Sequence, residues 1–133
     1  MAELCILVRT APYSKINAAE AVRHINGAVN NNVKTSVVFV DDGVYCLKDN
    51  QDMGVSGFTS ISAAVKQIIG TAKMLEDEGD TLKIYTHKGS LKECGIGADN
   101  LSAEQSGMLS GFEVVDDKGL AKVVGSAKTL MIF

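Results

Sequence analysis

The stretch KTSVVFVDDGVYCLKDNQ, Lys34 to Gln51, decides how the rest of the chain is read. Thr35, Ser36, Val37, Val38, Phe39 and Val40 form a β-branched, apolar run without alternation. Such a run suits a strand covered on both faces, as in a parallel sheet flanked by helices. Asp41, Asp42 and Gly43 end it abruptly, and Val44 to Leu47 read as a helical turn. Ligands of open α/β sheets sit outside the carboxyl ends of the strands, so this acidic bend is placed on the functional edge. Asp49 to Gly57 is polar and glycine-bearing, and reads as a loop at one end of a cleft.

Upstream, Leu4 to Val8 is a second continuous apolar run and the first strand, with Cys5 as a buried small hydrophobe. Ser14 is placed as the cap of a helix whose face is Ile16, Ala19, Ala21, Val22, Ile25 and Val29. Glu20 and His24 stand four apart as a side-chain pair, and Asn30, Asn31 and Asn32 form the helix stop. Downstream, Thr59 or Ser60 caps a helix from Ile61 to about Glu78, with Gly70 allowing close packing. Glu76 to Asp80 reads as a solvated helix end. Thr81 to Thr86 is the third strand, ending at His87, Lys88 and Gly89. Ser90 is placed as the cap of a short helix, Leu91 to Cys94. Asn100 to Ser102 open another polar segment, Phe112 to Val115 is a fourth strand, Leu120 to Ser126 a last helix and Thr129 to Phe133 a fifth strand. Strands alternating with helices predict one domain, residues 1–133, with three α/β/α layers and a five-stranded, mainly parallel sheet.

Composition narrows the function. In 133 residues, hydrophobic types make up 46% and charged types 22%, with net charge −3. No basic block or arginine–aromatic stripe is present, so nucleic acid is not expected as a direct partner. No apolar stretch approaches the roughly 18 residues of a membrane span, and the N-terminus lacks the pattern of a signal peptide. Cys5, Cys46 and Cys94 are odd in number and far apart, which points to reduced thiols in the cytoplasm. No paired-cysteine or HExxH metal spacing, phosphate loop or nucleophile elbow occurs, so no metal and no cofactor are expected.

Four segments carry a resemblance: Thr10-Ala11-Pro12-Tyr13 after the first strand, Asp42-Gly43-Val44 with Gln51, SLKECGI from Ser90 to Ile96, and the closing strand Lys128 to Phe133. Together, in this order, they resemble the DsrE/DsrF-like family. The resemblance implies a flavodoxin-like three-layer fold and assembly as a homotrimer, a homohexamer or a hetero-oligomer with related subunits. It also implies persulfide transfer or sulfur oxidation inside the cell, and admits a sulfur-carrier protein as partner. Carrier members hold a cysteine at the end of the strand before the SLKECGI-like helix. Counting back from Gly95, His87 takes that place here; subunits of the DsrF and TusC type also lack the cysteine, so the resemblance implies such a non-carrier member or a homologue with another task. The alternative is a non-catalytic module that binds a small ligand or supports assembly.

The candidate chemistry therefore spreads over a few residues. Cys94 is the thiol nearest the family's site, with Lys88 and Lys92 as positive neighbours but a place near a helix C-terminus. Cys46 is the second candidate thiol, and the carboxylates of Asp41 and Asp42 are expected to raise its pKa. Thr10, Asp41, Asp42, His87, Lys88 and Ser90 are the candidate pocket residues. His87 reads as a general acid or base near neutrality, or as a polar loop residue. Lys88 to Ser90 read as an anion-holding helix start, or as plain capping. Asp41 and Asp42 read as turn formers, as ligand groups or as partners of Lys48.

Overall fold

The computed structural model describes residues 2–13, 16–48, 61–75, 81–96 and 112–133. Five strands, β1 (Leu4–Val8), β2 (Thr35–Phe39), β3 (Leu82–His87), β4 (Glu113–Val115) and β5 (Thr129–Ile132), form one sheet in the order β4-β3-β2-β1-β5. Every pairing is parallel. The chain steps outward from β1 to β4, then returns to lie on the far side of β1, where Leu4 pairs with Thr129. The direction of winding reverses between β1 and β5.

Strand alternation sorts the side chains. Ile6, Val8, Val37, Phe39 and Ile84 pack in one core with α1 (Asn17–Asn30) and α2 (Ile61–Leu75). All five residues of β2 are buried, as its unbroken apolar run requires of a central strand. The opposite face carries Cys5, Ser36, Val38, Lys83 and Tyr85 in register. It is roofed by α4 (Asp117–Ser126), whose Val123 and Ser126 reach Ser36 and Tyr85 across a cavity. No residue of α4 is fully buried, and Leu130 and Ile132 of β5 are 42% and 57% exposed. Among the described residues, the cover over the β5 end of this face is thin.

Several local expectations shift. Ser14 lies outside the described residues; the residue preceding α1 is Ile16, which makes no capping bond and is 55% exposed, because it stands before the helical face begins. His24 Nδ1 donates to the Glu20 carbonyl at 2.7 Å instead of pairing with its carboxylate, which bonds Arg23. The His24 ring rests against Phe133, centroids 5.0 Å apart. The asparagine stop is as read: Asn31 Nδ2 donates to Gly27 O at 2.7 Å, and Asn32 adopts φ 56°. Gly70 is exposed with open space around it, so it packs closely against nothing within this chain. The loop 49–57, the proposed caps Thr59 and Ser60, the acidic segment 76–80 and the segment from Asn100 to Ser102 lie outside the described residues.

Two features form the carboxyl edge. The helical turn after β2 is a 3-10 segment that begins at Asp41 rather than Val44 and runs to Leu47. Asp41 itself is left-handed, φ 53°, a conformation that Asp tolerates better than most residues. Gly43 then passes over the end of β1 so closely that an added Cβ would lie 2.0 Å from Val8 O. The short helix α3 (Lys88–Glu93) starts directly at the end of β3.

Candidate functional site

The tips of β2 and β3 are tied together through Ser90. Its hydroxyl oxygen accepts the Asp41 N–H at 2.8 Å and lies 2.8 Å from His87 Nδ1. Ser90 N–H also donates to His87 Nδ1, at 3.3 Å. A serine hydroxyl has one hydrogen to give, and the carboxyl edge assigns it to His87 Nδ1. That nitrogen is then an acceptor, the ring's hydrogen sits on Nε2, and Nε2 donates to Asp117 Oδ1 at 2.6 Å. A continuous chain of bonds thus runs from the bend after β2, through Ser90 and His87, to the first turn of α4.

His87, not Ser90, is the cap of α3, and its ring takes the role usually filled by a small oxygen side chain. The fit is close at Gly89, where a Cβ would stand 3.0 Å from His87 Cε1. Ser90 is 3% exposed and acts as the fastener between two loops. Asp41 pairs with Arg9 at 3.3 Å rather than with Lys48. Both side chains are more than half exposed, so this pair orders the rim and adds little stability. Asp42 and Lys88 are exposed on the same edge.

The thiols divide by environment. Cys46 is fully buried, its Sγ donating to Thr10 O at 3.5 Å, so it anchors the first loop to the 3-10 segment. Burial pushes its pKa up to about 12; the carboxylates of the bend are not the cause. Cys5 is buried within β1 and pushed up to about 11 by the same desolvation. Cys94 is half-buried at the end of α3, its Sγ 3.7 Å from Asp41 O. The Tyr45 hydroxyl donates to Cys94 O at 3.2 Å. Its pKa is held above the ordinary value first by hydrogen bonding to Cys94, then by the charge of that thiol, burial and the charge of Asp42.

The structure therefore places Thr10, Asp41, Asp42, His87, Lys88, Ser90 and Cys94 on one edge, and links Asp41, His87, Ser90 and Cys94 directly. Thr10 Oγ1 and Thr86 Oγ1 are buried there without a hydrogen-bond partner among the described residues. Arg9, Tyr45 and Asp117 join this edge without having been singled out in the sequence. Arg9 follows β1 directly, and Asp117 follows β4, whose Val115 stands beside His87. Among the described residues, no group of three His, Cys, Asp or Glu side chains is arranged to hold a metal, and no helix is long and apolar enough to cross a membrane.

An all-parallel sheet wound in this order, with its polar network at the carboxyl tips, defines a three-layer α/β protein. The crystal structure of the ychN protein from E. coli superposes with a TM-score of 0.76 over all of both chains, at 17% identity, and so shares the fold. The chain belongs to the DsrE/DsrF-like family, whose model matches residues 2–133. It is 30% identical to the Protein TusC homolog of Vibrio vulnificus strain CMCP6 over the full length of both, and equally so to that of strain YJ016.

Proposed function

We propose that this chain is a cytoplasmic subunit of a sulfur-relay assembly, working in persulfide transfer or sulfur oxidation with His87 in the place of the usual carrier cysteine. Family membership and the likeness to TusC homologues support the relay reading. The observation that carries the His87 assignment is its double engagement: Nδ1 caps α3 and holds Ser90, and Nε2 is bonded to Asp117. A side chain so committed positions the edge. Any sulfur this chain itself accepts goes to Cys94, the least buried of its three thiols, beside the Asp41 carbonyl and the Tyr45 hydroxyl. Cys46 serves the packing. Thr10, Asp41, Asp42 and Lys88 form the rim that a donor or acceptor protein would meet.

Incubation with a sulfane-sulfur donor, followed by mass spectrometry, tests the assignment. The expected result is a gain of about 32 Da, one sulfur atom, on Cys94, lost in Cys94→Ser and kept in Cys46→Ser. No adduct on any thiol would end direct carriage and leave the assembly role.

That assembly role has its own support. α4 and β5 leave a thin second face with Leu130 and Ile132 exposed, a surface suited to burial against another subunit. A homotrimer or homohexamer, or a hetero-oligomer with related subunits, would cover it. Sedimentation at micromolar concentration is expected to show a multimer for the wild-type chain alone, or once a related subunit is added. A monomer in both conditions would overturn this part of the reading.

A further inference from the structure

A series of hydrogen bonds connects α4 to the half-buried thiol of Cys94. Asp117 Oδ1 accepts from His87 Nε2, and His87 Nδ1 accepts from the Ser90 hydroxyl. The Ser90 oxygen accepts the Asp41 N–H, and the Asp41 carbonyl accepts the Cys94 S–H. Asp41 is thus held from both sides at its left-handed φ of 53°. Ser90 also fixes Cys94 along α3, where Cys94 N–H donates to Ser90 O at 3.0 Å. Ser90, His87 and Asp117 are the residue types of a hydrolytic triad. Ser90 is only 3% exposed and its oxygen is already engaged, so this group holds the edge and does not attack a substrate.

The series closes for one protonation state of the ring. Neutral His87, with its hydrogen on Nε2, offers Nδ1 as acceptor to both the Ser90 hydroxyl and the Ser90 N–H. A proton added from solvent at Nδ1 turns that nitrogen into a donor. The Ser90 oxygen can accept it, but the Ser90 N–H then loses its cap and the hydroxyl hydrogen loses its acceptor. Both donors belong to a buried residue, where water does not replace the lost partner. The gain at Nε2 is small, because the Asp117 side chain is 93% exposed and an ion pair there is screened. Other charges near the ring are few. On α4, Asp116 is engaged by Gly119 N–H at 2.8 Å, and Lys118 follows Asp117. β4 brings Val115 alongside the ring and Glu113 two residues upstream, and β2 ends at apolar Val40. α3 adds Lys88, Lys92 and Glu93, all exposed. In the bend, the Asp41 carboxylate turns to Arg9 at 3.3 Å and Asp42 is exposed.

We propose that His87 is a proton-operated latch on Cys94. Neutral, it holds α3 against the bend and keeps the thiol on the Asp41 carbonyl. Protonated at Nδ1, it releases the first turn of α3, and Cys94 leaves the carbonyl and opens to a reaction partner. The proposal rests on the reading of Cys94 as the sulfur-accepting thiol, and makes acid the signal for access to it.

Reaction of the full chain with dithiodipyridine, a disulfide that traps thiols in acid as well as at neutrality, tests the latch. Peptide mapping gives the rate at Cys94, which is divided by the rate in the urea-unfolded chain at the same pH. The ratio is expected to rise about tenfold between about pH 8 and about pH 5, the range over which histidine changes charge. His87→Asn, whose side-chain oxygen can cap α3 without titrating, should keep the ratio low throughout. His87→Ala should keep it high throughout. Nitrogen NMR of the wild-type ring at the upper pH should show its hydrogen on Nε2. A wild-type ratio that does not change with pH would overturn the latch. So would an equal rise in His87→Asn with a native amide spectrum, or a neutral ring with its hydrogen on Nδ1. Sulfur loading separates the two readings. The pH-dependent ratio without a sulfur adduct on Cys94 ends the carrier role and supports the latch; an adduct with a constant ratio ends the latch alone.

Discussion

Gly43→Ala is expected to destabilise the chain by about 3 kcal/mol, the upper end of ordinary overpacking, and to lower the melting temperature by about 10 °C. The added carbon would lie 2.0 Å from Val8 O and 2.7 Å from Val8 C. Both are backbone atoms, so no rotamer change can make room. Val8 O is also the acceptor for Val40 N–H at 3.0 Å, and Gly43 N–H is bonded to Val40 O at 2.9 Å. Moving the bend away from β1 would therefore break the bonds that extend the β1–β2 pairing and shape the turn. Urea denaturation with circular dichroism measures the loss. A change below about 1 kcal/mol, the usual cost of a tolerated swap, would show that the bend does not press on β1.

The second large effect is a separation of thiol reactivities. At pH 8, a thiol with a pKa of about 12 is ionised in roughly one molecule in ten thousand, and one of about 11 in roughly one in a thousand. Cys46 and Cys5 are also closed to reagents by burial. Iodoacetamide is expected to label Cys94 in the folded chain at least about a hundredfold faster than Cys46, with all three labelled alike in denaturant. Peptide mapping over time reads the order directly, and comparable rates for Cys46 and Cys94 would contradict the packing role of Cys46. The same shifts fix a pH dependence. Both folded values lie above the reference value of 9.0, so the unfolded chain loses these protons first. Their contribution to stability is intact below pH 9 and declines from there to about 12, where the folded thiols ionise too.

The layered fold was legible because its signals are local. The apolar runs Leu4–Val8 and Thr35–Phe39 are long, unbroken and followed at once by polar bends, and strands covered on both faces read that way. The apolar stripes of α1 and α2 repeat at helical spacing. The capping of α3 was misread because histidine is a poor guess by residue type. Gly89 leaves room for the ring over the first turn, where a Cβ would stand 3.0 Å from His87 Cε1. The bond from His87 to Asp117 spans thirty residues and exists because β4 pairs with β3 before α4 begins. No window of sequence contains it. Likewise, the turn at Asp41–Gly43 was visible, but the contact that demands glycine is with Val8, on another strand. The sequence ranks Cys94 ahead of Cys46 by its neighbours, but the difference in depth that separates them in the fold is not visible there.

The position of β5 beside β1 also bears on how the molecule is made. During synthesis β1 emerges well before β5, the partner of its outer edge, with the whole of β2 to β4 in between. Until then β1 to β4 can associate in sequence, but Leu4 to Leu7 keep an open row of backbone donors and acceptors on one side. An exposed apolar edge of this kind recruits other chains, so the interval before β5 arrives is when a nascent chain most needs a chaperone or a slow concentration of its own kind.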